Sequence, residues 1–210
     1  MPADTLVLAT KNVGKLRELA RILGTGTRLV GLDSFPGAPD VPETGATFEA
    51  NALLKARAVA AYTELPSVAD DSGLCVDALN GMPGVLSARW AGQHGDDKAN
   101  LDLVLAQVSD VPDARLGARF VCAAALVVPV GGGVREWVVT GEVEGRLIRA
   151  PRGSGGFGYD PIFQPDGFDQ TTAEMTPDAK DAISHRGRAF RALAPFIKGA
   201  CIDRPAPRAR

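Results

Sequence analysis

Apolar positions along this chain of 210 residues switch between helical and alternating periods, and the switches mark out its elements. Residues 6–9 are a short apolar run ending in the polar turn Thr10-Lys11-Asn12-Val13-Gly14. Leu16, Leu19, Ala20 and Leu23 then recur at helical spacing, with Gly24 as a stop. The chain therefore opens as strand, loop and helix. Residues 28–32 read as a second short strand, and 34–47 as a loop rich in Pro and Gly. Thr47 can cap a helix over 48–62, on which Asn51 and Lys55 share one face.

After Pro66, residues 67–69 run into the acidic turn Asp70-Asp71-Ser72-Gly73, and 74–78 read as a further strand. Asn80-Gly81 marks a tight turn. Leu101, Val104, Leu105 and Val108 line one side of a helix over 98–108. Residues 119–129 and 134–143 are β-rich and flank Gly131-Gly132-Gly133, the pattern of a hairpin. A glycine-dense loop over 152–158 follows, then a helix over 186–197. Pro205 and Pro207 suggest a frayed tail over 201–210. With no internal repeat or low-complexity linker, residues 1–200 read as one domain. Strands before helices and strands in hairpins together point to an α/β fold with a mixed sheet.

Composition narrows the function classes. An apolar fraction of 45% and a charged fraction of 23% suit a packed core. A net charge of −2 argues against a sequence-independent grip on nucleic acid or on an anionic membrane, while leaving a small anionic substrate open. Cys75, Cys122 and Cys201 are odd in number and widely spaced, so they support neither a disulfide framework nor a zinc site. Reduced thiols in a soluble cytoplasmic protein are the plain expectation. The apolar run near the N-terminus is too short for a signal peptide, and residues 120–130 fall short of the ~20 a membrane helix needs.

Four constellations could carry chemistry. Thr10-Lys11-Asn12-Val13-Gly14-Lys15 places backbone N–H groups and a lysine at a helix start, a natural phosphate cradle, although the Walker pattern is absent. A capped turn with solvated lysines accounts for the same residues. Asp70 and Asp71 suit Mg²⁺, and one of them could deprotonate a water, but an Asx-turn would also use them. Gly153-Ser154-Gly155-Gly156-Phe157-Gly158-Tyr159-Asp160 lets backbone approach a ligand, with Phe157 or Tyr159 able to stack on a base; a flexible turn is the alternative. Lys180 with Ser184-His185-Arg186 gathers donors before the last helix, where a surface cap would look alike. The other histidine, His94, sits in the loop Gly92-Gln93-His94-Gly95. No triad supports covalent catalysis.

Taken together, these segments resemble the Ham1/RdgB family of dITP/XTP pyrophosphatases. The likeness runs through Leu8-Ala9-Thr10-Lys11-Asn12-Val13-Gly14-Lys15, Glu43-Thr44-Gly45-Ala46-Thr47-Phe48 and Asn51-Ala52-Leu53-Leu54-Lys55-Ala56. It continues through Ala69-Asp70-Asp71-Ser72-Gly73-Leu74, Gly84-Val85-Leu86-Ser87-Ala88-Arg89, Gly156-Phe157-Gly158-Tyr159-Asp160-Pro161 and Ser184-His185-Arg186-Gly187. These blocks span residues 6 to about 198 in the family's order. Lys11 departs from the pattern, since many relatives carry a small residue there, and a longer side chain would alter the triphosphate contacts.

The resemblance implies an elongated central mixed sheet with two α/β lobes and an active-site cleft between them, in a homodimer. It implies hydrolysis of deaminated purine nucleoside triphosphates (ITP, dITP, XTP) to the monophosphate and pyrophosphate, with Mg²⁺ as cofactor. By the same resemblance, Thr10, Lys11, Asn12, Val13, Gly14, Lys15 and Lys55 hold the triphosphate, and Glu43 and Asp71 hold the metal. Asp71 is then the proton acceptor for the attacking water, and Ser72 touches the nucleotide. Phe157, Gly158, Tyr159 and Asp160 form the base pocket, to which Lys180, His185 and Arg186 present donors. Three alternatives stand beside this: a Maf-like pyrophosphatase preferring other bases, a nucleotide sensor without turnover, and a P-loop kinase or GTPase. The FGYD–Lys–SHR set, the retained acids and the missing Walker pattern count against them in turn.

Overall fold

The computed structural model describes residues 5–11, 13–24 and 28–202. Asn12 lies outside them, as does the tail beyond 202. The opening follows its hydrophobic pattern: β1 (Thr5–Leu8) leads into α1 (Val13–Leu23), then β2 (Arg28–Val30). At Gly24, just past α1, the backbone turns left-handed with φ 71°. There its N–H returns to Ala20 O at 3.1 Å, the expected glycine helix stop. α2 (Phe48–Thr63) begins where Thr47 Oγ1 accepts the Ala50 N–H at 3.2 Å. It is followed by β3 (Ser67–Val76), α3 (Asp97–Gln107), β4 (Gly117–Val130), β5 (Gly133–Leu147), β6 (Phe163–Pro165), α4 (Pro177–Ile183) and α5 (His185–Ile202).

The six strands form one mixed sheet in the order β2-β1-β3-β4-β5-β6. β1 pairs in parallel with both β2 and β3, with Val7 opposite Ser67, whereas β5 and β6 are antiparallel, with Leu147 opposite Phe163. The mixed α/β reading therefore holds. One local reading needs correction, and two short elements went unread. The acidic segment at Asp70-Asp71-Ser72-Gly73 is no turn: β3 runs through it unbroken for 10 residues. Asp and Gly have poor strand propensity, but a strand with neighbours on both sides is held by its ladders whatever its local preference. Neither α4 nor β6 is legible in the pattern, because 7 and 3 residues are too few to display a period.

The chain divides into two compact units. Among the described residues, the first comprises the chain up to Asp71, Ala123–Thr140 and Ala189 onward; the second comprises Ser72–Cys122 and Gly141–Arg188. Each has its own apolar cluster. Val7, Leu32, Val59 and Leu65 pack together in the first. Leu74, Leu101, Val104, Phe120, Val143 and Phe163 pack in the second. The first unit holds Trp137, with the Arg135 guanidinium 5.4 Å from its ring centre and Phe196 at 5.9 Å. The second holds Trp90, whose Nε1–H donates to Gln107 Oε1 at 2.8 Å. Among the described residues no helix is long and apolar enough to cross a membrane.

Candidate active site

Successive side chains on a strand project to opposite faces, so the two acids of β3 meet different partners. Asp70 receives the Lys15 ammonium of α1, at 3.1 Å to Oδ2 and 3.3 Å to Oδ1. Asp71 instead faces α2. Its Oδ2 accepts from Asn51 Nδ2 at 2.9 Å, and its Oδ1 lies 3.7 Å from Lys55 Nζ. The same ammonium donates to Glu43 Oε1 at 2.6 Å. Glu43 reaches it from the loop before α2, and Lys55 from the second turn of that helix. Two carboxylates thus converge on one cation.

Burial sets the electrostatics of this cluster. Asp71 is 6% exposed, and burial pushes its carboxyl above the ordinary range. The Lys55 charge and the Asn51 hydrogen bond pull it back, while the Glu43 and Asp70 charges add to the rise. For Lys55, burial pulls downward, but the charges of Asp71, Asp70 and Glu43 outweigh it and hold the ammonium above its usual value. The result is a carboxyl raised above its ordinary value beside an amine whose charged form is favoured. Upstream, Thr10 follows β1 with its N–H bonded to Leu8 O at 2.8 Å. Lys11, Val13 and Gly14 are exposed around the start of α1.

The second unit carries the glycine-rich loop and its cations. Asp160, 3% exposed, is the hub: Oδ2 accepts the Phe157 N–H at 2.8 Å and the Lys180 ammonium at 2.6 Å, and Oδ1 accepts from Thr172 Oγ1 at 2.7 Å. Gly156 makes this possible. Its φ is +72°, and a Cβ there would stand 2.0 Å from Asp160 Oδ2. Next to it the Phe157 ring is 43% exposed, with Lys180 Nζ 5.3 Å and Arg186 Cζ 5.6 Å from its centre. Two cations over an aromatic face make that ring a platform for a flat, electron-rich ligand. Arg186 also donates from Nη2 to Ser72 Oγ at 2.9 Å.

Three of the residues selected from the sequence have partners within the protein. Tyr159 is 5% exposed, its hydroxyl donates to Ser87 O at 2.8 Å, and burial, then the Asp97 charge, push its ionisation well upward. Of the two aromatics offered for stacking, Phe157 is therefore the exposed one. Gly158 donates its N–H to Asp97 Oδ2 at 2.9 Å. His185 is buried with its ring stacked on Phe120, 4.9 Å between centres and 13° apart in plane. Sequence reasoning passed over Asn51 and Thr172 as site residues. Asn51 left a signal in its four-residue spacing from Lys55; Thr172 left none.

The Ham1 family model matches residues 6–196. A dITP/XTP pyrophosphatase of Nocardia farcinica is 62% identical over 97% of this chain and 99% of its own length. A crystal structure of a nucleoside-triphosphatase / dITP/XTP pyrophosphatase from Mycobacterium abscessus is 58% identical, with a TM-score of 0.74 over 91% of this chain and 99% of that one. A HAM1 protein from Coxiella burnetii is 40% identical, with a TM-score of 0.84 over 95% and 100%. Agreement in sequence and in fold, sustained from β1 into α5, makes this chain a member of the Ham1 family.

Proposed function

We propose that this protein hydrolyses deaminated purine nucleoside triphosphates to the monophosphate and pyrophosphate. The observation that carries the reading is the convergence of Glu43 and Asp71 on the Lys55 ammonium, and the names borne by the relatives supply the substrate class. Lys15, Lys55, Glu43 and Asp71 take the triphosphate, and the Phe157 ring with Lys180 and Arg186 takes the base. Water attacks the α-phosphorus, Asp71 accepts its proton, and the bond to the α–β bridging oxygen breaks to release pyrophosphate. Lys15 and Lys55 offset charge on the phosphates, so catalysis is positioning and electrostatic stabilisation.

Mg²⁺ belongs to the same reading. Among the described residues no cluster of three or more His, Cys, Asp or Glu could cage an ion. Two carboxylates flanking a position already held by a cation suit an ion that prefers oxygen and completes its shell with phosphate and water. Glu43 and Asp71 would hold it, and it would supply charge to the phosphates. Homodimeric assembly and a cytoplasmic setting complete the proposal.

Base selection follows from hydrogen-bond polarity. Lys180 and Arg186 supply donors near the Phe157 ring, which suit a purine 6-keto oxygen and leave an adenine amino group facing another donor. A mismatched buried donor costs roughly 1–3 kcal/mol, and more than one such contact multiplies the discrimination. Guanine must be refused through its 2-amino group. The test is kcat/KM with Mg²⁺ for inosine, xanthosine, guanosine and adenosine triphosphates. The first two are expected to exceed the others by on the order of 10²-fold or more. Comparable values for all four would end this reading.

A further inference from the structure

Asn51 touches both arms of the acidic cluster while standing outside the set that meets substrate. Its side chain is buried, with 0% exposure, on α2. Nδ2 donates to Asp71 Oδ2 at 2.9 Å, and Oδ1 accepts the Gly45 N–H at 2.7 Å. A side-chain amide offers a donor and an acceptor from one planar group. A carboxylate that only accepts and a backbone N–H that only donates fix which way the amide points. Gly45 lies two residues from Glu43, and the contact is tight. A Cβ on Gly45 would stand 2.7 Å from Asn51 Oδ1 and 2.8 Å from Ala50 Cβ.

We infer that Asn51 is a positioning residue that sets the separation of the Glu43 and Asp71 carboxylates, holding one through the Gly45 backbone and the other directly. The inference rests on the hydrolase reading above, in which those two carboxylates act together. Asn51 turns Asp71 so that Oδ2 is engaged and Oδ1 is presented toward Lys55. At the same time it stops the Glu43 loop from drifting off the start of α2. Outer partners of this kind are typically worth 10–100-fold in activity or metal affinity.

The two bonds can be separated by substitution in the full-length protein. Asn51→Asp keeps an acceptor for Gly45 but shows Asp71 a second carboxylate in place of a donor; Asn51→Ala removes both bonds. The first readout is hydrogen exchange at the Gly45 amide in metal-free protein, which no catalytic defect can move. The second is the split between kcat and KM for inosine triphosphate with Mg²⁺. Asn51→Asp should leave Gly45 exchange within about threefold of wild type and KM little changed, while kcat falls about 10–100-fold. Asn51→Ala should also exchange Gly45 roughly tenfold faster.

A kcat for Asn51→Asp within about threefold of wild type, or unchanged Gly45 exchange in Asn51→Ala, overturns the proposal. So does a kcat loss in Asn51→Asp that comes only with lost Gly45 protection, the mark of a packing residue. If Asn51→Ala does not fold, Gly45→Ala tests the loop arm, since its methyl group drives Oδ1 away; wild-type kcat there would also overturn it. Should the wild type release pyrophosphate from no nucleotide, the hydrolase reading fails, and Gly45 exchange still decides whether Asn51 clamps the loop.

Discussion

At the scale of the residue, Asp71 sets function against stability. Its carboxyl is held above the ordinary range, first by burial and then by the Glu43 and Asp70 charges, which Lys55 and Asn51 only partly offset. The folded state therefore binds this proton more tightly than the unfolded chain. Stability from Asp71 is greatest in acid, and it is lost as pH rises from the usual carboxylate value of 3.8 through the raised one. At any pH above both values the fold carries the whole penalty. Asp71→Asn should accordingly raise the melting temperature of the metal-free protein at pH 7, with the gain shrinking toward pH 4. The same change should lower turnover by about 10²–10⁴-fold, since it removes the proposed base. Calorimetry across pH beside a pyrophosphate-release assay measures both, and an unchanged or lower melting temperature at pH 7 contradicts the stated electrostatics. Much of the residue-level site is legible in the sequence, because Lys15, Glu43, Lys55 and Asp71 are the residue types phosphate and metal chemistry requires. The hydrogen bonds of Asn51 are not, because its partners lie 6 and 20 positions away and nothing in local spacing announces them.

At the scale of the element, β3 decides how its two acids divide their work. A turn at 70–73 would have let both carboxylates gather on one ion. The continuous strand sends Asp70 to Lys15 and Asp71 to Lys55. Asp70→Asn is thus expected to act on nucleotide binding through Lys15, changing KM. The Mg²⁺ concentration for half-maximal rate should stay within about twofold of wild type, because Asp70 is not among the oxygens assigned to the ion. Titrating Mg²⁺ against the variant checks this; a large rise in the Mg²⁺ requirement would put Asp70 in the metal shell after all. The strand was hard to read because two Asp and a Gly outweigh Val68, Leu74 and Val76 in any local propensity sum. What overrides that sum is pairing with β1 on one side and β4 on the other, and such long-range pairing leaves no local trace. α1, α2 and α3 were legible because each is long enough to repeat its apolar face.

At the scale of the whole molecule, Cys75, Tyr159 and Lys55 move the same way as Asp71. Burial pushes the Cys75 thiol above its ordinary 9.0, with the Glu142, Asp77 and Glu144 charges adding to the rise against Arg119. Tyr159 moves upward from 10.0 in the same way. In both, the unfolded chain ionises first, so stability falls as pH climbs past the ordinary value. Lys55 is also raised from 10.5; its contribution is complete below that value and is lost as pH rises through the raised one. The melting temperature should therefore drop steadily above about pH 9, and Cys75→Ala should blunt the start of the fall. A flat profile to pH 11 would contradict this. The division into two units was not legible in the sequence. Both are built from separate stretches of chain, with Asp71 and Ser72 as consecutive residues of one strand on either side of the division, so no change of composition marks a boundary.

That division gives the protein a built-in optical probe in each half. The sequence contains 2 tryptophans; Trp137 lies in one unit beside Arg135 and Phe196, and Trp90 lies in the other, tethered to Gln107. Replacing either with Phe leaves a single intrinsic fluorophore whose emission reports on one half of the chain during denaturation. Superimposed transitions from the two variants would mean that the strands common to both halves make them melt as one cooperative body. Separated transitions would identify which half gives way first as the protein warms.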